Sequence, residues 1–218
     1  MSTYEPTVAT LADRVLRLRA RVPGSRPVLV GITGEPGAGK STLADALVAD
    51  LGSRGATAVL VPMDGFHLAN VALRTLGTAD RKGAIDTFDG AGYAALLARI
   101  AGGDPYTVWA PTYDRSLEES VAGAVPVPPG TDAVVTEGNY LLVDDGPWAA
   151  VREHLDEVWA VEVDPAVRSA RLVARHVAFG KPPRAATAWV ATVDERNAEL
   201  VRSTMGRADL VVTEDAVS

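Results

Sequence analysis

The sequence predicts an α/β fold with a mostly parallel sheet and helices on both faces. Three observations predict it: short β-branched runs alternate with segments of helical periodicity, the first run leads into a glycine-rich loop, and an acidic residue directly follows two later runs. Strands that alternate with helices form right-handed βαβ units and hence parallel sheets. Because ligands of such sheets bind beyond the carboxyl ends of the strands, we expect the loop and both acidic residues at one edge.

Length and composition predict a single domain. A chain of 218 residues with 47% hydrophobic content is long enough for one substantial core, and no linker interrupts residues 1–218. The formal net charge of −7 argues against nucleic-acid binding, which normally needs a basic surface. No apolar run approaches the roughly 20 residues that span a bilayer, and the absence of cysteine excludes thiolate chemistry and cysteine-ligated zinc. We expect a cytoplasmic protein without a nucleic-acid or membrane partner.

Residues 1–24 are predicted to contain an amphipathic helix that ends at Pro23-Gly24. A membrane-binding or partner-binding helix would show the same periodicity. The segment is short and lacks bulky aromatic residues, which favours a surface helix packed on its own domain. Its apolar residues recur at intervals of three and four: Val8, Leu11, Val15, Leu18 and Val22.

The glycine-rich loop at residues 34–41 fits the phosphate-binding pattern GxxxxGK[ST]. An apolar run at 27–32 precedes it, and Leu43, Leu47 and Leu51 follow at helical spacing, so the loop should join a strand to a helix N-terminus. A chance match would occur in about one per cent of chains of this length, and the context makes it rarer. Inward-turned backbone amides and the helix dipole would bind nucleotide phosphates, as in a P-loop NTPase fold.

Nine residues are assigned to this nucleotide contact. Lys40 should reach the outer phosphates, and the Ser41 hydroxyl should bind Mg²⁺. The full set is Gly34, Glu35, Pro36, Gly37, Ala38, Gly39, Lys40, Ser41 and Thr42.

Two carboxylates follow predicted strands. Asp64 ends the strand at 56–63, and Glu137 ends the strand at 131–136. Asp64 could orient an acceptor hydroxyl and take its proton, although an Asp-Gly pair is also a common turn. Glu137 lies where an acidic residue holds Mg²⁺ directly or through water, although it could be a solvated strand end. The phosphate loop favours the metal role for Glu137 and leaves both interpretations of Asp64 open.

The rest of the chain completes the alternation of strands and helices. After Asp64 we predict an irregular stretch at 65–89 and then a helix with Tyr93, Leu96, Leu97 and Ile100 on one face. Short strands at 108–110 and 122–127 flank an excursion at 111–115. The C-terminal part is predicted to contain a strand at 158–163, a helix from Asp164-Pro165, a long helix at 185–203 and a closing strand at 209–212.

Three arginines form a stripe on the helix after Asp164-Pro165: Arg168, Arg171 and Arg175. Such a stripe suits a lid that closes over a nucleotide and offsets charge on a transferred phosphoryl group. A solvated helix face would look the same. We therefore expect residues 165–204 to form a helical lid and the C-terminal helices. His154 and His176 have no motif around them and are expected to be structural or exposed.

In this order, the motifs resemble the phosphoribulokinase/uridine kinase family, which includes bacterial pantothenate kinases and nucleoside or sugar kinases. The residues that carry the resemblance are Gly34 to Ser41, Asp64-Gly65-Phe66-His67, Pro111-Thr112-Tyr113-Asp114-Arg115, Glu137-Gly138-Asn139-Tyr140-Leu141-Leu142 and the helix at 168–175.

The resemblance implies ATP and Mg²⁺, with Asp64 as catalytic base and Glu137 supporting the metal. It makes Arg168 a nucleotide contact and Arg171 and Arg175 catalytic lid residues. Tyr113 and Arg115 match a motif that lines the acceptor pocket in relatives. His67 is either an acceptor contact or a turn histidine, and a homodimer is compatible with the family.

Two classes of function remain open. The first is an ATP-dependent kinase that phosphorylates a hydroxyl of a nucleoside, sugar or pantothenate-like metabolite. The second is a P-loop ATPase or GTPase that acts as a switch or chaperone without an organic acceptor. The sequence has no [NT]KxD guanine-reading motif and no cysteine or histidine cluster for a cargo metal, which favours the kinase. The acceptor pocket is built by irregular segments, so the identity of the acceptor stays open.

Overall fold

Seven β-strands and eight α-helices lie within residues 6–213, the part of the chain described by a computed structural model. Residues 1–5 of the predicted N-terminal segment lie outside this part. The strands are β1 (Val28–Gly34), β2 (Ala58–Pro62), β3 (Val108–Asp114), β4 (Glu119–Val127), β5 (Ala133–Glu137), β6 (Glu157–Glu162) and β7 (Leu210–Thr213). The helices are α1 (Val8–Arg19), α2 (Lys40–Ser53), α3 (Asn70–Leu76), α4 (Gly90–Ala101), α5 (Ala149–Glu153), α6 (Pro165–Ala178), α7 (Pro183–Trp189) and α8 (Glu195–Thr204).

Five strands form a parallel sheet in the order β2-β5-β1-β6-β7, and β3 and β4 form a separate antiparallel pair. Glu137 pairs with Ile32 of β1 on one side and with Pro62 of β2 on the other. The carboxyl ends of these three strands therefore lie side by side at one edge of the sheet. The predicted α/β fold is confirmed, and so is the convergence of strand ends at one edge.

Helices cover both faces of the sheet. Val28, Val30 and Ile32 of β1 belong to a core shared with α1 and α2, whereas Leu29 belongs to a core shared with α4, α5 and α8. This alternation follows from the two-residue period of a strand. In α1 the buried residues Leu11, Ala12 and Val15 pack towards α2 in one hydrophobic cluster. No described helix combines the length and apolarity that a membrane span requires.

Three predicted elements differ from the structure. The stretch at 65–89 is not wholly irregular, because it contains α3 and short 3-10 turns. The predicted excursion at 111–115 lies largely within β3, which continues through Pro111 because the strand register shifts between Ala110 and Thr112. Such a bulge tolerates a proline, which has no backbone N–H to donate.

The third predicted element that differs is the helix at 185–203, which is interrupted. A π-helical segment, Val190–Asp194, separates α7 from α8. The hydrogen bonds of a π-helix span one more residue than those of an α-helix, so the residues after the segment face a different direction from that expected of a regular helix. This shift places the end of the segment against the cavity described below.

Candidate active site

The P-loop connects β1 to α2 and packs beneath α6. Gly39, the residue before α2, has φ 93°, a left-handed conformation that glycine adopts without strain. Gly37 also has positive φ, and a Cβ there would lie 2.8 Å from Leu172 and 3.1 Å from the Arg168 carbonyl oxygen. The close approach of α6 to the loop therefore requires glycine at position 37.

Lys40 lies at the base of this loop with its ammonium group buried. Its Nζ donates to the carbonyl oxygens of Gly34 and Glu35, both at 3.0 Å. Burial lowers the pKa of Lys40 to about 8, against the opposing attraction of Glu137 and Asp64. A buried cation bonded to neutral carbonyls is well suited to an anionic ligand such as a phosphate.

Ser41 and Glu137 meet beside the loop. The Ser41 hydroxyl donates to Glu137 Oε1 at 3.2 Å. Burial and the neighbouring Asp64 raise the pKa of Glu137 to about 7, although Lys40 and Ser41 act in the opposite direction. The described residues contain no group of three or more potential metal ligands. One hydroxyl and one carboxylate still fit Mg²⁺, which prefers oxygen ligands, retains waters and is completed by substrate phosphates.

Asp64 stands in a 3-10 turn, Met63–Phe66, immediately after β2. The turn packs on β3 so closely that a Cβ on Gly65 would lie 2.4 Å from the Pro111 carbonyl oxygen. The Asp64 carboxylate lines the central cavity and lies 3.8 Å from Arg115 Nη2. The Asp-Gly pair is thus a turn, and the turn presents its carboxylate to the cavity.

His67 and Tyr113 form an aromatic wall beside Asp64. The His67 ring lies 4.0 Å from the Phe88 ring and 4.7 Å from the Tyr113 ring, between centroids. Its Nδ1 is 2.9 Å from the Asp64 carbonyl oxygen. Burial lowers the pKa of His67 despite the attraction of Asp64. His67 is therefore both a turn residue and part of the cavity wall.

A cavity of about 620 Å³ joins these groups. Its volume suits a nucleotide together with a small second ligand. Most residues predicted for the site line it: Pro36, Gly37, Gly39, Lys40, Ser41, Thr42, Asp64, His67, Tyr113, Arg115, Glu137, Arg171 and Arg175.

Four of the predicted nucleotide contacts lie outside the lining. Gly34 and Ala38 form the underside of the loop, where Gly34 accepts a hydrogen bond from Lys40. Glu35 points its carboxylate towards α8. Arg168 differs most from its prediction: it is neither a cavity residue nor a solvated one, because its side chain is only 3% exposed.

Arg168 belongs to a closed ring of four charges, which we call the P-loop ring: Glu35, Arg168, Glu195 and Arg202. Arg168 Nε lies 2.9 Å from Glu35 Oε2, and its Nη2 donates to Glu195. Arg202 donates to both Glu35 oxygens, at 2.8 and 3.0 Å, and to Glu195 at 3.3 Å. Because Glu35 is a residue of the P-loop, the ring connects the loop to α6 and α8.

The cavity also contains polar residues that belong to no motif in the sequence. His176, expected to be structural or exposed, hydrogen-bonds Asp194 at 2.8 Å, and both line the cavity. Asn197 donates to the Gly83 carbonyl oxygen at 3.3 Å. Lys82 donates to Asn70 and to the Glu118 carbonyl oxygen. The sequence carried no motif for these residues, because they come from separate segments that meet only in the fold.

Comparisons with known proteins identify a family and relatives of the chain. Residues 29–217 match the model of the phosphoribulokinase/uridine kinase family. An ATP-dependent kinase-like protein of Aspergillus versicolor is 38% identical over 134 residues, which cover 58% of this chain and 77% of the relative. The uncharacterised protein YggC of Escherichia coli is 32% identical over 189 residues, covering 86% of this chain and 78% of the relative.

The fold has a solved counterpart. The crystal structure of a proposed fructose transport system kinase from Silicibacter superposes with a TM-score of 0.85 and 36% identity, over 94% of this chain and 98% of that chain. The P-loop at the strand edge, the acidic residues beside it and the match over residues 29–217 lead to one conclusion: the chain belongs to the phosphoribulokinase/uridine kinase family of ATP-dependent P-loop kinases.

Proposed function

We propose that the protein transfers the γ-phosphoryl group of ATP to a hydroxyl group of a small metabolite of the nucleoside, sugar or pantothenate-like class. The observation that carries the proposal is the position of Asp64. Its carboxylate lines the same cavity as Lys40 and Glu137, so a group bound at the P-loop and a hydroxyl beside Asp64 would share one space. Phosphoryl transfer needs this proximity of acceptor, base and phosphate.

The residues divide the chemistry between them. P-loop amides and Lys40 hold the phosphates, while Arg171 and Arg175 offset charge that develops on the transferred group. Asp64 accepts the proton of the acceptor hydroxyl as its oxygen bonds to phosphorus and the bond to the departing ADP oxygen breaks. Mg²⁺ bound by Ser41 and Glu137 would neutralise charge on the phosphate oxygens.

We also propose that residues 165–204 act as a lid. Arg175 lines the cavity, where desolvation and Arg115 lower its pKa. Movement of α6 would carry Arg171 and Arg175 together, since both lie on that helix. Arg168 would then position the P-loop through Glu35 and would not contact the nucleotide.

The proposed acceptor class draws on the relatives. The Silicibacter protein is described only as a proposed fructose transport system kinase, which supports a sugar among the candidates. An ATPase or GTPase without an organic acceptor is not favoured, because the matching family is named after two small-molecule kinases and because the cavity extends past Asp64 to Tyr113 and Asp194. A switch protein has no need of that extension.

Substitution of the proposed base tests the function. Asp64→Asn should lower acceptor-dependent transfer by about 10²–10⁴-fold, while ATP affinity measured by calorimetry stays within about threefold of wild type. Asp45→Asn, on the exposed face of α2, is the control and should leave transfer unchanged. ATP turnover that needs no acceptor and persists in Asp64→Asn would contradict the proposal and favour the ATPase class.

A further inference from the structure

The cavity beyond Asp64 contains a buried carboxylate that phosphoryl transfer does not require. Asp194 ends the π-helical segment and is 7% exposed, yet it lines the cavity. Its Oδ2 is 2.8 Å from His176 Nε2. Among the described residues, no donor bonds its other oxygen. This oxygen is not among the fully buried atoms that lack a partner, so it can accept a hydrogen bond from a ligand in the cavity.

His67 supplies a second hydrogen-bond acceptor. Its Nδ1 lies 2.9 Å from the Asp64 carbonyl oxygen, and a carbonyl oxygen only accepts, so Nδ1 carries the ring proton. In the neutral ring Nε2 is therefore a lone-pair acceptor. Within residues 6–213 nothing donates to Nε2, and the ring lines the cavity. Asp194, His67 and the base Asp64 thus present three acceptors to one space.

The positive charge of the cavity balances ATP with Mg²⁺ and leaves no net positive charge for an anionic acceptor. Among the described residues, six cationic side chains line it: Lys40, Lys82, Arg115, Arg171, Arg175 and Lys181. Four carboxylates line it as well: Asp64, Glu118, Glu137 and Asp194. The lining therefore carries two more positive charges than negative ones. ATP with one Mg²⁺ carries about two negative charges near neutral pH, which balances this excess.

The cations beyond the phosphate region already have partners. Lys82 donates to Asn70 Oδ1 and the Glu118 carbonyl oxygen and lies over the Tyr113 ring. Lys181 lies 4.5 Å from the centroid of the Trp189 ring. Arg115 lies 3.8 Å from Asp64. These contacts hold the three cations in place along the cavity wall.

We propose, on the basis of the kinase function above, that the acceptor is an uncharged polyhydroxylated molecule whose hydroxyl groups donate to Asp194 and His67. Carboxylated and phosphorylated acceptors are then disfavoured, because a second anion would face Asp194 and Asp64 in a cavity whose net positive charge is already balanced by ATP and Mg²⁺. The proposal selects sugars and uncharged nucleosides from the wider class and makes Asp194 a specificity-determining residue.

Matched pairs of uncharged and anionic compounds test the charge of the acceptor. The full chain would be assayed by mass spectrometry with ATP and Mg²⁺ on fructose and fructose 6-phosphate, pantothenol and pantothenate, glycerol and glycerate, and on uridine. Binding of each compound to the protein with a non-hydrolysable ATP analogue would be measured by calorimetry. We expect at least one uncharged compound to bind and react, with kcat/KM about tenfold or more above its anionic partner where it has one.

The outcomes distinguish a failure of this inference from a failure of the proposed kinase function. A preference for the anionic partner, or failure of every uncharged compound to bind or react, overturns the inference and leaves a kinase of anionic acceptors possible. ATP turnover that no acceptor stimulates overturns the kinase function itself.

Removal of single hydroxyl groups tests the role of Asp194. Wild-type protein should lose about 10–100-fold in kcat/KM for the deoxy analogue that lacks the hydroxyl bound by Asp194. Asp194→Asn should react more slowly with the complete polyol and discriminate less against that analogue, with KM for ATP unchanged. If Asp194 only supports the fold, the variant will slow both substrates equally and keep the ratio, which would overturn the assignment.

His67→Phe tests the second proposed contact independently, because this variant keeps an aromatic ring between Phe88 and Tyr113. It should reduce discrimination at a different hydroxyl group from that affected by Asp194→Asn. Asp45→Asn again serves as the control. An unchanged hydroxyl preference in both variants would refute the proposed contacts even if one of them were poorly folded.

Discussion

Two arginines bind the same P-loop carboxylate at different depths, and we predict that their removal has unequal costs. Arg168 is 3% exposed and Arg202 is 48% exposed, while both contact Glu35. Arg168→Gln leaves the Glu35 carboxylate, itself 15% exposed, without its buried partner, and such a loss costs about 3 kcal/mol. Arg202→Gln removes a pair that solvent screens, which costs about 0.5–1 kcal/mol.

The two values follow from burial and not from distance. Arg202 has the better geometry, with two hydrogen bonds to Glu35 at 2.8 and 3.0 Å. Although Arg168 Nε lies 2.9 Å from Glu35 Oε2, neither Nε nor Nη1 of Arg168 makes a hydrogen bond among the described residues, so the burial of this guanidinium is incompletely compensated. That deficit moves the expected cost of Arg168→Gln towards about 2 kcal/mol, still above the cost for Arg202.

Urea unfolding at two salt concentrations measures the difference. The screening length falls from about 10 Å at 0.1 M salt to about 3 Å at 1 M. The destabilisation by Arg202→Gln should therefore shrink at high salt, whereas that by Arg168→Gln should persist. KM for ATP should rise in Arg168→Gln, because Glu35 belongs to the P-loop. Arg99→Gln, which loses an exposed pair with Asp104, is the control for KM.

Equal costs for the two variants, or a larger cost for Arg202→Gln, would refute the reasoning. The first result would mean that Glu35 reorganises freely when either arginine is lost. The second would mean that bidentate geometry outweighs burial in the P-loop ring.

Three further predictions concern the P-loop and the residues beside it. Lys40→Ala should lower kcat/KM for ATP by about 10²-fold or more, since the buried charge at the outer phosphates is lost; near-wild-type turnover would disprove the assignment. Because burial raises the pKa of Glu137 to about 7, the carboxyl becomes protonated as pH falls through that value. Apparent Mg²⁺ affinity in the presence of ADP should therefore fall by up to about tenfold per pH unit below about 6, and a flat profile between pH 5.5 and 7.5 would exclude Glu137 as a ligand. Gly65→Ala should cost about 1–3 kcal/mol in urea unfolding and lower kcat, because its Cβ would meet the backbone of Pro111 at 2.4 Å; unchanged values for both would show that the turn shifts without strain.

Local patterns predicted the P-loop and the strands around it. The GxxxxGK[ST] pattern lies where β1 meets α2, and Asp64 and Glu137 both follow parallel strands at the same edge. These predictions succeeded because each depends on a short segment: glycines fix the loop, apolar alternation fixes the strands, and parallel topology brings the strand ends together.

The arginine stripe shows what a local sequence pattern cannot predict, namely which side chains of a helix face the cavity. Arg168, Arg171 and Arg175 have the spacing of one helix face, so the sequence treated them alike. In the fold, Arg171 and Arg175 line the cavity, whereas Arg168 lies between Glu35 and Glu195. The difference arises because α6 packs on Gly37 through the turn that carries Arg168. That contact depends on residues more than 100 positions apart.

The acceptor side of the cavity was decided by tertiary structure alone. Asp194 and Asn197 fall within a stretch whose periodicity predicted one regular helix, and the π-helical segment reorients them towards the cavity. The sequence by itself determined the parallel α/β sheet, the phosphate loop and the carboxylates at its edge, since these follow from backbone conformation and from the two-residue and 3.6-residue periods. Only tertiary structure decided which charges face the ligand, because that depends on how distant helices pack against the loop and whose charges they bury.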